Sequence, residues 1–491
     1  MMDNLNDKIA IGYLWNLFSK WMTRFVGIIS TLILIRILSP EDFGVAALVS
    51  IIIAFFMMLS EVGTDKYLIK AEYCDEDDLD SAWSLNLVLK LFCSLLIATL
   101  SSFIADFLNE PNMSTVLLLG SLLPIISALK NVGMVLYERE LNYKPLTKLS
   151  VFVKLLVFPI TISTALILRN YWALIVGILS SEILTVIGSY WMHPYRPKWS
   201  RKNWHNQWGF SKWVLLSTIS GYVRSRIDAL LLGRFLDSTS VGYYRVSQEF
   251  AWLPFSELIA PATASFYAGI SKVSNNRQEL TQKVLQYLSI SYMLVMPSCL
   301  GIYALQDSFT VVVLGSQWKD AAPILGLLSL LMISMPINIS LQTTLTSLSK
   351  VSYLFFVDLF MISAIVAGFY VVNTQWHGGV LEFTQFRAYL VSFFVFMLAM
   401  IYKLVLRISV LRLLVVCLTP VIPAFIMMMG IVWVNSFVYL PELLKLLLLV
   451  VSGITIFLPI MLLLILIMKR YVPEYQFIYQ LIIRLFHKIK Q

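Results

Sequence analysis

The chain has 491 residues, 59% of them hydrophobic and only 13% charged, whereas soluble globular proteins carry about 25% charged and 45–50% apolar residues. No soluble fold hides that much apolar surface, so the composition excludes a soluble enzyme or binding module. The net charge of +9 does not point to nucleic acid, because the Lys and Arg residues cluster between apolar runs, the pattern that sets membrane topology.

Asp3 and Asp7 precede the first apolar run, which has no small-residue cleavage site, so it is expected to stay as a span and not to be removed as a signal peptide. A bilayer-crossing helix needs about 20 mainly apolar residues. In chain order, 14–38, 44–63, 82–105, 116–136, 146–168, 172–192 and 213–232 predict the first spans. The segments 241–266, 284–305, 322–345, 353–372, 386–406, 411–433 and 443–468 predict the rest. The expected fold class is all-α integral membrane, with about fourteen transmembrane helices. Placing both termini in the cytoplasm puts most Lys and Arg of the loops on the cytoplasmic side.

The most basic loop, 193–212, holds Arg196, Lys198, Arg201, Lys202 and Lys212 and reads as a cytoplasmic hinge. It separates an N-terminal lobe, 1–192 with helices one to six, from a C-terminal lobe, 213–406 with helices seven to twelve. Two added helices occupy 407–468, and 469–491 forms a cytoplasmic tail. In that tail Ile478, Leu481, Ile482, Leu485 and Ile489 share a helical face, the pattern of an interfacial amphipathic helix. The acidic loop 66–80 reads as a solvated connection. Cys74, Cys93, Cys299 and Cys417 have neither a disulfide framework nor a zinc spacing, and no cofactor or metal is expected.

The first span ends in LIRILSPEDFG, 34–44, and the seventh in LGRFLDSTSVG, 232–242. Both fit L-x-R-x-L-x5-G. An even number of spans separates them, so the copies point the same way and suggest two pseudo-symmetric six-helix lobes related by an axis along the membrane normal. The stretches RILSPEDFGVAALVSIIIAFFMMLSEVGTDKYLIK and RSRIDALLLGRFLDSTSVGYYRVSQEF, followed by LPFSELIAPATASFYAGIS, resemble the polysaccharide-exporting, Wzx-type branch of the multidrug/oligosaccharidyl-lipid/polysaccharide superfamily, in particular its colanic-acid-like subgroup. The resemblance covers roughly the first 350 residues. It implies two helical lobes around a central cavity, which by alternating access flip an undecaprenyl-pyrophosphate-linked oligosaccharide across the bacterial inner membrane for exopolysaccharide, capsule or O-antigen synthesis. The partners to be expected are that lipid-linked substrate, membrane lipids, a coupling H⁺ or Na⁺, a polysaccharide polymerase and a chain-length regulator.

Charges at membrane depth are costly and usually face a bundle interior or a hydrated cavity. On the first span Asn16, Lys20, Thr23, Arg24, Gly27 and Thr31 share a face. Lys20 and Arg24 are like charges one turn apart, which an anion such as pyrophosphate would reconcile; Lys20 reads equally well as snorkelling to headgroups. On the seventh span Arg224 and Asp228 share a stripe, with Arg226 turned away. Either the first two form a structural bridge, or Asp228 takes up a coupling ion and releases Arg224 to the substrate. Lys90 and Lys154 are further cations within apolar runs. With Lys20, Arg24, Arg224 and Arg226 they make up the candidate cationic, substrate-binding set. Glu249, Glu257 and Asp358 join Asp228 as ion-coupling candidates, or serve as structural hydrogen-bonding groups. Lys130 and Lys148 read as headgroup anchors, and Arg234 has Asp237 nearby as a partner.

An enzymatic reading rests on the DxD-like string Asp75-Glu76-Asp77, which has no catalytic domain around it, so no catalytic residue is assigned and the chain is expected not to be an enzyme. A cation-coupled small-molecule or drug antiporter of the same superfamily is the alternative. Such a protein would present acids and aromatic rings to its cavity, whereas the N-terminal half of this chain buries more Lys and Arg than carboxylates.

Overall fold

The computed structural model describes residues 2–61, 63–71, 73–207 and 212–489, with the side chains of 2–10, 13, 70, 206, 207, 212–215, 217 and 485–489 outside the description. The described residues are helices and their connections, the arrangement that satisfies every backbone polar group inside a bilayer. The protein is an all-α integral membrane protein. Among the described residues eleven helices are long and apolar enough to cross a membrane. A shorter apolar pair lies over 113–128, and the expected spans 213–232 and 241–266 fall on helices over 212–235 and 238–271 that are not among those eleven.

The chain forms two compact units. The first comprises Met1–Leu215 and Ala229–Gly242, the second Leu216–Asp228 and Tyr243–Gln491. The first holds α1 (Met2–Ile37), α2 (Pro40–Ser60), α3 (Thr64–Lys70), α4 (Glu76–Phe107), α5 (Met113–Gly120), α6 (Leu122–Ala128), α7 (Met134–Arg139), α8 (Lys144–Leu168), α9 (Trp172–Met192) and α10 (Trp204–Gln207). Helix α8 packs on α1 and α9, and α4 packs on α2, α5 and α6. Helix α11 (Lys212–Phe235) is shared, with 216–228 counted in the second unit and its last turns in the first.

The repeat noted in the sequence is a structural elbow in both copies. After α1, Ser39 caps α2 in a capping box with Asp42, and Pro40 occupies the first turn, where its missing N–H leaves no bond unmade. After α11, Asp237 accepts from the Ser240 N–H at 2.6 Å, so cap and third-position residues exchange roles and α12 (Ser238–Ala251) begins. Asp237 thus serves the backbone and not Arg234, whose guanidinium lies over the rings of Phe107 and Phe235. The two elbows pack on each other reciprocally. A Cβ on Gly44 would overlap the Ser238 carbonyl, and a Cβ on Gly242 would overlap the Pro40 carbonyl. Pro40 and Ser238 occupy the same position in their repeats, as do Gly44 and Gly242. The invariant spacing to glycine therefore has a cause: backbone meets backbone where a side chain has no room.

In the first unit the basic segment after α9 is not a free hinge. Residues 193–204 are tied to the start of α4 and the loop before α7. Asp80 accepts from the Lys198 N–H at 2.6 Å and from the Tyr195 hydroxyl. Ser84 accepts from the Ser200 N–H at 2.9 Å, Asn203 donates to Asp78 at 2.7 Å, and Lys202 pairs with Asp77 at 2.8 Å. Asn131 holds the carbonyls of His193 and Tyr195 at 3.1 and 2.8 Å. The acidic segment, expected to be solvated, is thus the dock of this strap, and Asp75 and Asp78 form the capping box of α4. Burial and the hydrogen bond to Asp80 push the Tyr195 phenol well above its ordinary range, which keeps it a donor. Burial also lowers the His193 imidazole, whose Nδ1 accepts from the Tyr195 N–H at 3.2 Å. Of the expected hinge, residues 208–211 and the Lys212 side chain lie outside the described residues.

The second unit continues with α13 (Ala262–Ser271), α14 (Arg277–Phe309), α15 (Ala322–Leu330), α16 (Met335–Ser347), α17 (Ser352–Gln375), α18 (Val380–Leu406), α19 (Val410–Leu418), α20 (Val421–Asn435), α21 (Glu442–Met468) and α22 (Pro473–Ile489). Long α14 is its centre, packed on α15, α16, α20 and α21. Between Pro254 and Pro261 the backbone forms a π turn, Phe255–Ile259, which re-registers the side chains that follow. The tail helix α22 docks on α14 and α21. Tyr475 and Ile478 are buried against Met461 and Ile465, with Ile482 packed on the same cluster, and the buried Glu474 accepts from Arg412 at 2.6 Å. Of the face expected to meet lipid, Leu481 is exposed, and the side chains of Leu485 and Ile489 lie outside the described residues.

Candidate functional site: membrane-depth charges

Of the six cations singled out in the sequence, the first unit holds four. Arg24 is half-buried on α1, and Lys20, one turn earlier, is exposed, as a headgroup-reaching lysine would be. Lys154 on α8 lies over Gly27: a Cβ there would sit 3.7 Å from its Cε and 3.8 Å from its Nζ. Gly27 is three residues past Arg24, on the same face of α1. Packing α8 on α1 therefore brings Lys154 to the stripe that carries Arg24, and glycine makes the room for its stem. Lys90 belongs elsewhere. Its Nζ donates to Ser127 Oγ at 2.6 Å, inside a polar pocket shared with Asp65, Asn86, Lys130 and Glu138, to which α1 and α8 contribute nothing. Lys130, expected as a headgroup anchor, lines this pocket as well.

In the second unit Arg224 and Asp228 do not pair with each other. Arg224 Nε lies 2.5 Å from Asp358 Oδ1, and Ser220 Oγ donates to Asp358 Oδ2 at 3.2 Å, joining α11 to α17. Asp228 instead meets Arg387 of α18, with Nε 3.0 Å from its Oδ1 and Nη2 donating to its Oδ2 at 3.1 Å. The Tyr244 hydroxyl donates to the same Oδ2 at 2.7 Å. Tyr244 is fully buried beside Phe383, which packs edge-on to Phe369. One turn of α11 thus presents a cation to α17, and the next presents an anion to α18. Each charge faces an opposite charge on a neighbouring helix, and each carboxylate also accepts a hydrogen bond, Asp358 from Ser220 and Asp228 from Tyr244, which favours keeping a charge at low dielectric.

Arg226 faces the Tyr222 ring at 5.9 Å, and its charge acts on Arg245 of α12. Arg245 is held by Gln248 Oε1 at 2.6 Å, and the buried Nε atoms of both arginines have no hydrogen-bond partner. The charge of Glu249 on the same helix also acts on Arg245. Glu249 is exposed on α12, and Glu257 is exposed in the π turn, where Ser256 donates to it at 3.1 Å.

Sequence reasoning missed Arg387, Tyr244, Arg245 and Glu182. Arg387 stood at the second residue of its expected span and read as an edge. Helix α18 in fact starts at Val380, which sets Arg387 two turns inside. Glu182, a lone acid in the middle of an apolar run, was legible by the rule on intramembrane charge. Among the described residues no group of three or more His, Cys, Asp or Glu side chains is placed to hold a metal ion.

A family model described as "Polysaccharide biosynthesis protein" matches residues 33–323. The chain is 25% identical over 319 residues to an uncharacterized membrane protein in the cps region of Klebsiella pneumoniae, covering 64% of this chain and 66% of that one. It is 24% identical to the succinoglycan biosynthesis transport protein ExoT of Rhizobium meliloti (strain 1021), covering 64% of each. To the lipopolysaccharide biosynthesis protein WzxC of Escherichia coli (strain K12) it is 23% identical, covering 74% of this chain and 76% of that one. The chain thus spans just under two thirds of the length of the first two relatives. In fold it is similar to the lipid II flippase MurJ in an inward closed conformation, with a TM-score of 0.71, 14% identity, and coverage of 93% of this chain and 99% of that one. An inward-facing multidrug resistance MATE transporter of the MOP superfamily aligns with a TM-score of 0.56 and 14% identity, covering 78% of this chain and 96% of that one.

Proposed function

The chain belongs to the polysaccharide biosynthesis protein family, and from that premise we propose that it flips a lipid-linked oligosaccharide across the bacterial inner membrane by alternating access. The observation that carries the reading is the convergence of Lys154 on the Arg24 face of α1. Two cations at membrane depth fit a multivalent anion better than any neutral solute. The anion is a pyrophosphate joining an undecaprenyl chain to a sugar repeat unit: Arg24 grips it with paired N–H donors, and Lys154 adds a point charge. Arg226 and Arg245 in the second unit offer donors of the same kind. The similarity to the succinoglycan biosynthesis transport protein ExoT and the lipopolysaccharide biosynthesis protein WzxC supports export of a cell-surface polysaccharide. Both termini are cytoplasmic, and a polymerase and a chain-length regulator receive the product.

The ion pairs of the second unit argue against a drug antiporter. Asp228 and Asp358 are occupied by guanidinium groups and are not open to an organic cation. In cells lacking the native protein, Arg24→Ala and Lys154→Ala are expected to insert at normal levels while lipid-linked repeat units collect on the cytoplasmic leaflet. Undiminished polymer export by the double variant would remove the site.

A further inference from the structure

One intramembrane charge has no part in the site above. Glu182 is the eleventh of the twenty-one residues of α9, which puts it about 15 Å from either end of the helix at 1.5 Å per residue. It borders a cavity of about 130 Å³, ample for water at roughly 10–15 Å³ per molecule by the same kind of measure. The remaining walls are Val49, Ile53, Met57, Leu123, Ile178 and their neighbours. The one hydroxyl among them, Ser50, donates back to the Ala46 carbonyl at 2.6 Å and not to the carboxyl. Among the described residues Glu182 makes no hydrogen bond, and no cation lies within ion-pair distance of it. The charges whose fields reach it are Lys90 of α4 and Lys130 after α6. Helices α5 and α6 carry no charge, α2 carries Glu41 and Asp42 in its first turn, and α8 carries Lys144, Lys148 and, over Gly27 of α1, Lys154.

A carboxyl kept for structure has a partner, as Asp228 and Asp358 do. A carboxyl at mid-bilayer without one has two ways to exist, protonated in the apolar wall or ionised toward water and the lysines, and the two differ by one proton. We propose that Glu182 is the proton-binding residue of the first unit and couples transport to a proton gradient, with Lys90 and Lys130 favouring release of the proton when the cavity hydrates. As a coupling role this rests on the flippase reading; as a proton site it stands by itself.

The test uses the full-length protein in proteoliposomes and a hydrophobic carbodiimide, dicyclohexylcarbodiimide, which adds to a protonated carboxyl. The carboxyl proton passes to a carbodiimide nitrogen, its oxygen bonds to the central carbon, and an acyl shift leaves a stable N-acylurea. Peptide mass spectrometry is expected to find the adduct on Glu182. Above the carboxyl's pKa, labelling should fall about tenfold per pH unit. Glu182→Gln should abolish the adduct and make flipping of a fluorescent lipid-linked oligosaccharide indifferent to an imposed pH gradient, and Glu182→Asp should retain both. Absence of the adduct at every pH, or a gradient response surviving in Glu182→Gln, would overturn the proposal. A wild type that flips nothing yet labels with the expected pH dependence keeps the proton site and sinks the transport reading.

Discussion

The ion pairs along α11 in the second unit hold charge at membrane depth differently from the charges of the first unit. In the second, carboxylate meets guanidinium twice along α11, each time on a different helix. In the first, Lys90 rests on a hydroxyl in a pocket shared with Asp65 and Glu138, Lys154 lies over a glycine, and Glu182 borders an apolar cavity. A charge matched by a fixed counter-charge is spent on holding helices together. A charge without a fixed counter-charge stays available for something that arrives. In the proposed flippase, architecture falls to the pairs of α11 and substrate chemistry to Arg24 and Lys154.

The largest effect that sharpens this contrast is expected at Asp228–Arg387. Arg387→Leu leaves a buried carboxylate without its partner and should cost roughly 3–5 kcal/mol, seen as loss of monodisperse protein in detergent. Adding Asp228→Asn should restore much of the yield, because the orphaned charge is gone. If the double variant is no better than the single, the pair is not the lock described. A smaller effect is expected at the elbows. Gly44→Ala drives a methyl into the Ser238 carbonyl and should cost about 1–3 kcal/mol. Gly269→Ala on α13, where nothing lies within 4 Å of the added methyl, should be neutral or stabilising by about 0.5–1 kcal/mol. Equal thermal stability of the two variants would contradict the backbone contact.

The smallest expected effect is pH-dependent and concerns the strap. Burial lowers the His193 imidazole, so the folded protein binds fewer protons there than the unfolded chain. Stability from this group is therefore present at neutral pH and lost as pH falls below the ordinary imidazole range near 6.5. Amide hydrogen-exchange protection across 193–204, taken relative to the intrinsic rate at each pH, should fall between pH 7 and pH 5, and His193→Gln should flatten the profile. An unchanged profile in that variant would show that His193 does not govern the strap.

Much of this was legible in the sequence. Hydropathy located the spans, and L-x-R-x-L-x5-G located both elbows, because caps, turns and glycine contacts are local demands on local residues. Depth was legible too, and it picked out Arg24, Lys154, Arg224 and Asp228. Partnership was not. Arg387 lies 159 positions from Asp228, and nothing in either helix alone says that α18 turns its guanidinium toward α11. The apparent i, i+4 pair Arg224–Asp228 was misleading for the same reason. Neighbours on one helix meet only if no better partner stands opposite, and here two did. The strap was hidden because a basic loop and an acidic loop more than a hundred residues apart each look solvated when read alone.

The central claim is that Arg24 and Lys154 together receive an anionic lipid headgroup. Native mass spectrometry of the protein in lipid nanodiscs, titrated with undecaprenyl pyrophosphate, tests it most directly. The account predicts that the wild type retains the lipid and that Arg24→Ala with Lys154→Ala weakens binding by about tenfold or more, equivalent to some 1.4 kcal/mol, while Arg36→Ala leaves it unchanged. Equal retention by the wild type and the double variant would contradict it.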